Sequence, residues 1–326
     1  MQVNEPFVKK VSTPKFFSIL LKVGIFILSI AVIFYILWDK KEWMLFIEPY
    51  FNSIDTYCVL GFLLFLMVLN ISVEALKWFL LVKENTDITF FQSLKAVFSG
   101  TAAGLITPHG VGDYVGRILF LNPEKRVENI SSVLFSRIAQ LCITCITGIA
   151  ALMYIGLYFE FNKWIALSMI LALTFLLLVS IVWFKRTLLL DGMKKVPLIK
   201  NIENWFEYIR SYSNQLFMKT LFLSGLRYGI FLSQFVILLI FFDVEVPLHI
   251  LIIGAIFIFF VKSIIPTFLD LGVRELAAVF FFATYHVQEQ NVLAASLSLW
   301  IINIIIPSCI GLIMMFQIEY INKNKC

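Results

Sequence analysis

Polar residues able to do chemistry are scarce in this sequence, and they gather at two interruptions of long apolar runs. The first reads Thr107-Pro108-His109-Gly110-Val111-Gly112-Asp113-Tyr114-Val115-Gly116-Arg117. The second follows Lys262 and runs from Pro266 to Asp270-Leu271-Gly272-Val273-Arg274-Glu275. Gly110 and Gly112 permit close backbone approach and unusual dihedrals. A helix opening near Asp113 would point free N–H groups and the positive end of its dipole at the break, which favours an anion there. Arg117 lies one turn further in and can grip a phosphate with its planar fork. The second break offers the same parts, with Lys262 closing the helix before it and Asp270, Gly272, Arg274 and Glu275 opening the next. An anionic headgroup such as a lipid phosphate is the expected guest.

Each residue also has a plainer reading. Asp113 fits a helix cap as well as it fits direct contact with a ligand. Arg274 and Glu275 can neutralise other charges, although an intramembrane charge is costly enough to favour a functional role. His109 serves either as a turn residue at the tip or as a proton-coupling group. Arg137 and Arg227 sit about one turn inside helix ends, where contact with anionic lipid and snorkelling are both served. Glu74 and Lys77 stand at i, i+3 and can simply pair, and Gln140 can extend a polar face from Arg137. His109, His249 and His286 lack metal-ligand spacing, and no nucleophile motif or phosphate-binding glycine loop is present. Neither a catalytic set, a metal nor a cofactor is expected. Cys142 and Cys145 form a C-x-x-C inside an apolar run, where buried thiols are favoured over a redox pair.

The elements that must position these residues follow from composition. Hydrophobic residues make up 60% and charged residues 14% of the 326, with a mean hydropathy of +0.92. A soluble domain carries roughly a quarter of its residues as charges. A spanning helix needs about 20 mostly apolar residues, and Phe16–Leu37, Thr56–Val82, Val133–Tyr158, Trp164–Phe184, Leu221–Phe242 and Val292–Phe316 all qualify. These runs are too long and uniformly apolar for barrel strands. The basic start of the chain lacks a small-residue cleavage site, so the first apolar run is expected to remain as a span. The net charge of +5 fits basic loops beside anionic lipid, not nucleic-acid binding.

Charge also orients the spans. If each interrupted segment crossed the membrane once, the basic stretch from Lys185 to Lys219 would face outward, against the positive-inside rule. If each instead enters and leaves on one side, that stretch, the basic N-terminus and the terminal Lys323 and Lys325 all become cytoplasmic. The expected fold is therefore an all-α polytopic integral membrane protein, a single membrane domain over 1–326. It has six full spans and two re-entrant helical hairpins, with both termini inside. Residues 16–158 and 164–316 then repeat the order span, span, hairpin, span with opposite topology, an arrangement common in transporters. Between them, Leu198, Ile202, Trp205, Ile209, Tyr212 and Leu216 share one face of a helix over 197–217, which reads as a cytoplasmic interfacial linker.

The same residues carry a resemblance that spans nearly the whole chain. The chain resembles the transmembrane region of lysylphosphatidylglycerol synthase, the flippase-like domain family. The segment Glu74-Ala75-Leu76-Lys77-Trp78-Phe79-Leu80-Leu81 is similar to that family's basic-Trp segment. The Thr107–Arg117 break resembles its Pro-Gly-x-x-Gly-Asp-x-x-Arg element, and Leu271-Gly272-Val273-Arg274-Glu275 its later Gly-x-Arg-Glu element. His109 stands where Gly is common, and Thr267-Phe268-Leu269-Asp270 is poorer in glycine than the family pattern. Ser136-Arg137-Ile138-Ala139-Gln140 resembles an Glu-Arg-x-x-Asp element with both acids replaced, which implies a different lipid cargo. Synthase members carry a soluble aminoacyl-transfer domain after the membrane part, and the sequence ends at Cys326, so synthase activity is not expected.

What the resemblance implies agrees with the residue reading. The expected function is translocation of an anionic or modified phospholipid, or of a lipid-linked headgroup, across the cytoplasmic (inner) membrane. Its substrate-binding residues would be Pro108, His109, Gly110, Gly112, Asp113, Arg117, Arg137, Lys262, Asp270, Gly272, Arg274 and Glu275. The expected partners are the bilayer and a phospholipid or lipid-linked substrate. Two alternatives stand beside it: a membrane enzyme transferring a glycosyl or aminoacyl group to a lipid, and a non-catalytic partner of a separate lipid-modifying enzyme.

Overall fold

The computed structural model describes residues 50, 54–105, 107, 110–121, 125–158, 162–185, 212–265 and 271–323. The expected first span, Phe16–Leu37, lies outside the described residues, as does the 197–211 part of the expected linker helix.

Helices α1 (Ile54–Val82), α2 (Phe90–Leu105), α3 (Gly112–Ile118), α4 (Arg126–Tyr158) and α5 (Lys163–Phe184) come first. They are followed by α6 (Asn214–Phe241), α7 (Leu248–Ile264), α8 (Val273–Ala283), α9 (Glu289–Trp300) and α10 (Ile306–Lys323). No β-strand occurs among the described residues. Five segments are long and apolar enough to cross a bilayer: Ile54–Val82, Asn129–Tyr158, Lys163–Phe184, Asn214–Phe241 and Glu289–Met315. They match the later five expected spans, but α4 and α6 begin several residues earlier than the apolar runs. Helix hydrogen bonding is local and continues into a polar interface. Asn162 and Ser213 set two of the starts, each accepting from backbone N–H groups of the first turn.

Outside the five candidate spans lie four shorter helices. The 16 residues of α2 reach about 24 Å, less than the ~30 Å hydrocarbon core. α3, α7 and α8 have 7, 17 and 11 residues. α2 packs against α3, and α7 against α8. Small residues allow the first pair to touch closely. A Cβ on Gly116 would lie 2.6 Å from the Ser99 carbonyl and 2.7 Å from Gly100 Cα, and one on Gly100 would collide with Asp113 and Arg117. Gly116→Ala is therefore expected to cost about 1–3 kcal/mol through overpacking. Thermal unfolding in detergent checks this, and an unchanged midpoint would show the contact to be loose.

The bundle closes through exchanged contacts. α10 packs on α2, α4 on α7, and α1 on α6. The largest core cluster joins Leu63, Met67 and Ile71 of α1 with Phe235 and Leu239 of α6, Ile258 and Phe259 of α7, Phe282 of α8 and Leu299 of α9. α5 stands apart, with only Ala172 and Trp183 buried along its length. A helix apolar on all sides and contacting little protein suits lipid.

The last expected span is not one regular helix. Between α9 and α10, residues Ile301–Ile305 form a π-helical turn. Pro307 explains it: proline has no N–H for the carbonyl of Asn303, and its ring crowds that carbonyl. Widening the turn relieves both problems, and π-turns of this kind recur at functional sites.

Candidate functional site

A cavity of about 490 Å³ lies among α1, α2, α3, α4, α6 and α7, and Ile304 of the π-turn completes its wall. Its charged lining, among the described residues, is five cations (Lys77, Arg117, Arg137, Arg227 and Lys262) against two carboxylates, Glu74 and Asp113.

The break between α2 and α3 builds one wall. Gly110 takes a φ of +63°, which a residue with a Cβ rarely adopts. Thr107 Oγ1 accepts from the Gly112 N–H at 2.7 Å and donates back to the α2 carbonyls of Ala103 and Gly104. The turn thus satisfies its own backbone. Asp113 follows one residue later and points at two arginines. Arg117 donates Nε to Asp113 Oδ1 at 2.7 Å and Nη2 to Oδ2 at 3.0 Å, a bidentate pair. Arg137 of α4 donates Nη2 to the same Oδ2 at 2.8 Å and to the Gly110 carbonyl at 2.9 Å. Its guanidinium also lies over the Tyr114 ring, 4.9 Å from the centroid.

Glu74 of α1 extends the network to the opposite wall. Its Oε1 accepts from Arg117 Nη1 at 2.8 Å and from Ser136 Oγ at 3.2 Å. Its Oε2 pairs with Lys77 Nζ at 2.7 Å. Lys77 in turn reaches Ser224 Oγ of α6 at 3.3 Å. Arg227 Nε sits 3.5 Å from Glu74 Oε2 and donates to Asn70 Oδ1 at 3.2 Å, while Asn70 Nδ2 donates to the Arg227 carbonyl. Both carboxylates are therefore engaged by cations: Glu74 by Lys77, Arg117 and Arg227, and Asp113 by Arg117 and Arg137.

Exposure separates anchors from contact groups. The Arg117 side chain is only 7% exposed, with all three guanidinium nitrogens donating inside the network. Arg137 and Arg227 keep 37% and 35% of their side-chain area exposed. Neither terminal nitrogen of Arg227 meets a hydrogen-bond or ion-pair partner among the described residues.

Against the expected site residues, the structure brings Gly110, Asp113, Arg117, Arg137 and Lys262 together around this cavity. Gly112 packs beneath it, against the Ala103 carbonyl. Gly272, Arg274 and Glu275 do not line it. They form a separate cluster with Ser296 of α9, in which Arg274 and Glu275 are 0% and 1% exposed. Arg274 Nη2 donates to Glu275 Oε1 at 2.5 Å and to the Ser296 carbonyl at 3.1 Å. Glu275 Oε2 accepts from the Gly272 N–H at 2.7 Å, where Gly272 has a φ of +102°. Pro108, His109 and Asp270 lie outside the described residues.

A model of the lysylphosphatidylglycerol synthase TM region matches residues 19–311, the main body of the sequence. The chain belongs to that family. No curated protein and no solved structure matches it. In this family member the cavity-lining residues absent from the expected set include the charged or amide side chains Glu74, Lys77, Gln140 and Arg227. Their signal was in the sequence: each is a polar residue one or two turns inside an apolar run. What the sequence lacked was any indication that three separate helices turn these positions toward one point.

Proposed function

We propose that this protein moves a lipid across the cytoplasmic membrane by holding its anionic headgroup in the cavity while the acyl chains stay in the bilayer. The observation that carries this reading is a cavity with five cations and two carboxylates, whose carboxylates are already engaged by those cations. An anion entering it replaces lost hydration with fixed donors, chiefly Arg137 and Arg227.

The topology supports the same reading. The α2–α3 and α7–α8 pairs, each too short to span and packed on itself, fit re-entrant hairpins entering from opposite sides. Exchanging the halves maps α1 onto α6, α2–α3 onto α7–α8 and α4 onto α9–α10. The contacts α10 with α2 and α4 with α7 then exchange, as do α1 with α2 and α6 with α7. An inverted repeat of this kind gives two equivalent packings of one sequence, the requirement for alternating exposure of a central site. The positive-inside rule orients both termini toward the cytoplasm.

The test is headgroup translocation in reconstituted vesicles of defined anionic and zwitterionic phospholipids. Arg227→Gln keeps the Asn70 contact within reach and removes the charge. It is expected to slow translocation of the anionic lipid at least tenfold, about the worth of one charged hydrogen bond. A rate equal to wild type, in protein whose thermal midpoint is unchanged, would defeat the proposed site.

A further inference from the structure

The two long elements that tie the short helices together are built differently. α4 runs unbroken from Arg126 to Tyr158. On it Arg137 holds Asp113 of α3 and the Gly110 carbonyl. About three turns later, Gly148 lies against the Phe260 ring of α7, with which any Cβ would collide. α9 and α10 make the matching pair of contacts on the other side. Ser296 Oγ of α9 accepts from Arg274 Nε of α8 at 2.9 Å. Gly311 of α10 meets the α2 backbone, where a Cβ would collide with the Phe98 carbonyl. Between these two contacts stands the π-turn Ile301–Ile305. One connector is a rod, and the other has a joint.

The joint is held by fewer backbone hydrogen bonds than a regular helix. The Ile306 N–H reaches back five residues to the Ile301 carbonyl, and Pro307 has no N–H to offer. Bending there costs less than elsewhere along the helix. The α1–α6 pair, in contrast, is pinned at both ends. The Tyr50 hydroxyl, before α1, donates to Asp243, after α6, at 2.7 Å. The Tyr212 hydroxyl, before α6, donates to the Leu81 carbonyl at the end of α1 at 3.4 Å. Exchanging the halves exchanges these two bonds. The joint also carries Ile304, a residue of the cavity wall.

We infer that the π-turn is the hinge on which the cavity opens. α10 tilts with α2 and α3 against α8 and α9, pivoting at the Arg137–Asp113 contact, and Ile304 leaves or rejoins the wall. α1, α4 and α6 form the fixed frame, so the cavity opens on the α9–α10 side alone. The hinge rests on the proposed function for its purpose, but its motion can be measured without cargo.

Pulsed electron paramagnetic resonance on the full chain in lipid nanodiscs tests it, with the five native cysteines replaced by alanine. Nitroxides at Phe280 of α8 and Ile313 of α10, which are 76% and 61% exposed, straddle the joint; Phe65 of α1 and Phe222 of α6 report on the frame. The first pair is expected to show two distances and the second pair one. Pro307→Ala returns an N–H to the Asn303 carbonyl. It should reduce the minor Phe280–Ile313 population about fivefold, the worth of one backbone hydrogen bond, and slow vesicle translocation by a similar factor. A single Phe280–Ile313 distance with Pro307 in place would mean that the turn only accommodates the proline, and would overturn the hinge. This comparison decides even where Pro307→Ala does not fold. Two populations indifferent to Pro307→Ala, or translocation by that variant at the wild-type rate, would overturn the hinge and leave the headgroup site standing. Two distances in a protein that translocates none of the lipids would do the reverse: the hinge stands and the proposed function falls.

Discussion

Glu74→Gln is expected to be among the most destabilising single changes in the protein. The substitution keeps the size of the side chain and removes one charge. It leaves Lys77, 1% exposed, without its 2.7 Å counter-charge and withdraws the second carboxylate from Arg117. Breaking a buried ion pair from one side costs about 3–5 kcal/mol, because the remaining charge stays desolvated. In a protein of this size that lowers the thermal midpoint by roughly 10 °C. Scanning fluorimetry in detergent measures it. The mechanism predicts a second result: Lys77→Met in the Glu74→Gln background should restore part of the loss, since removing both charges is less costly than stranding one. A double variant weaker than the sum of the two singles would rule out the ion pair as the cause.

The second large effect belongs to the cluster between α8 and α9. Arg274→Met strands Glu275, which is 1% exposed and receives both Arg274 contacts on Oε1. A loss of about 3–5 kcal/mol is expected here too. Arg274 differs from Arg227 in what it can touch: it is fully buried, bonded to Ser296 of the neighbouring helix, and does not line the cavity. Its loss should therefore reduce folded protein without altering the headgroup selectivity of the fraction that folds. Selectivity is read by lipid co-purification from material passed over size exclusion. A well-folded Arg274→Met protein with changed lipid preference would place Arg274 in the binding site after all.

These two expectations show why residue type alone did not separate anchor from contact group. Arg117, Arg137, Arg227 and Arg274 look alike in sequence, each an arginine inside an apolar context. Arg117 and Arg274 are enclosed because Gly100 and Gly116 let α3 sit tightly on α2, and because Ser296 of α9 meets α8. Arg137 and Arg227 line the cavity and keep about a third of their side-chain area exposed there. Burial of a side chain depends on neighbours brought together from distant parts of the chain, and no local spacing encodes it.

The membrane character, the later five spans and both polar breaks were legible beforehand, since each depends on local composition. Twenty apolar residues suffice for a span by composition alone, and glycine at Gly110 and Gly272 interrupts a helix through its own positive-φ backbone. The π-turn was not foreseen, although Pro307 was visible in the sequence, because whether a helix kinks, ends or widens is settled by its packing. Only the tertiary structure decided that Glu74, Asp113, Arg117, Arg137 and Arg227 share one network and that Gly272–Glu275 stands outside it. The two breaks thus remain the polar centres that the sequence announced, but their described outgoing helices differ in kind: Asp113 and Arg117 line the cavity, whereas Arg274 and Glu275 pair with each other away from it.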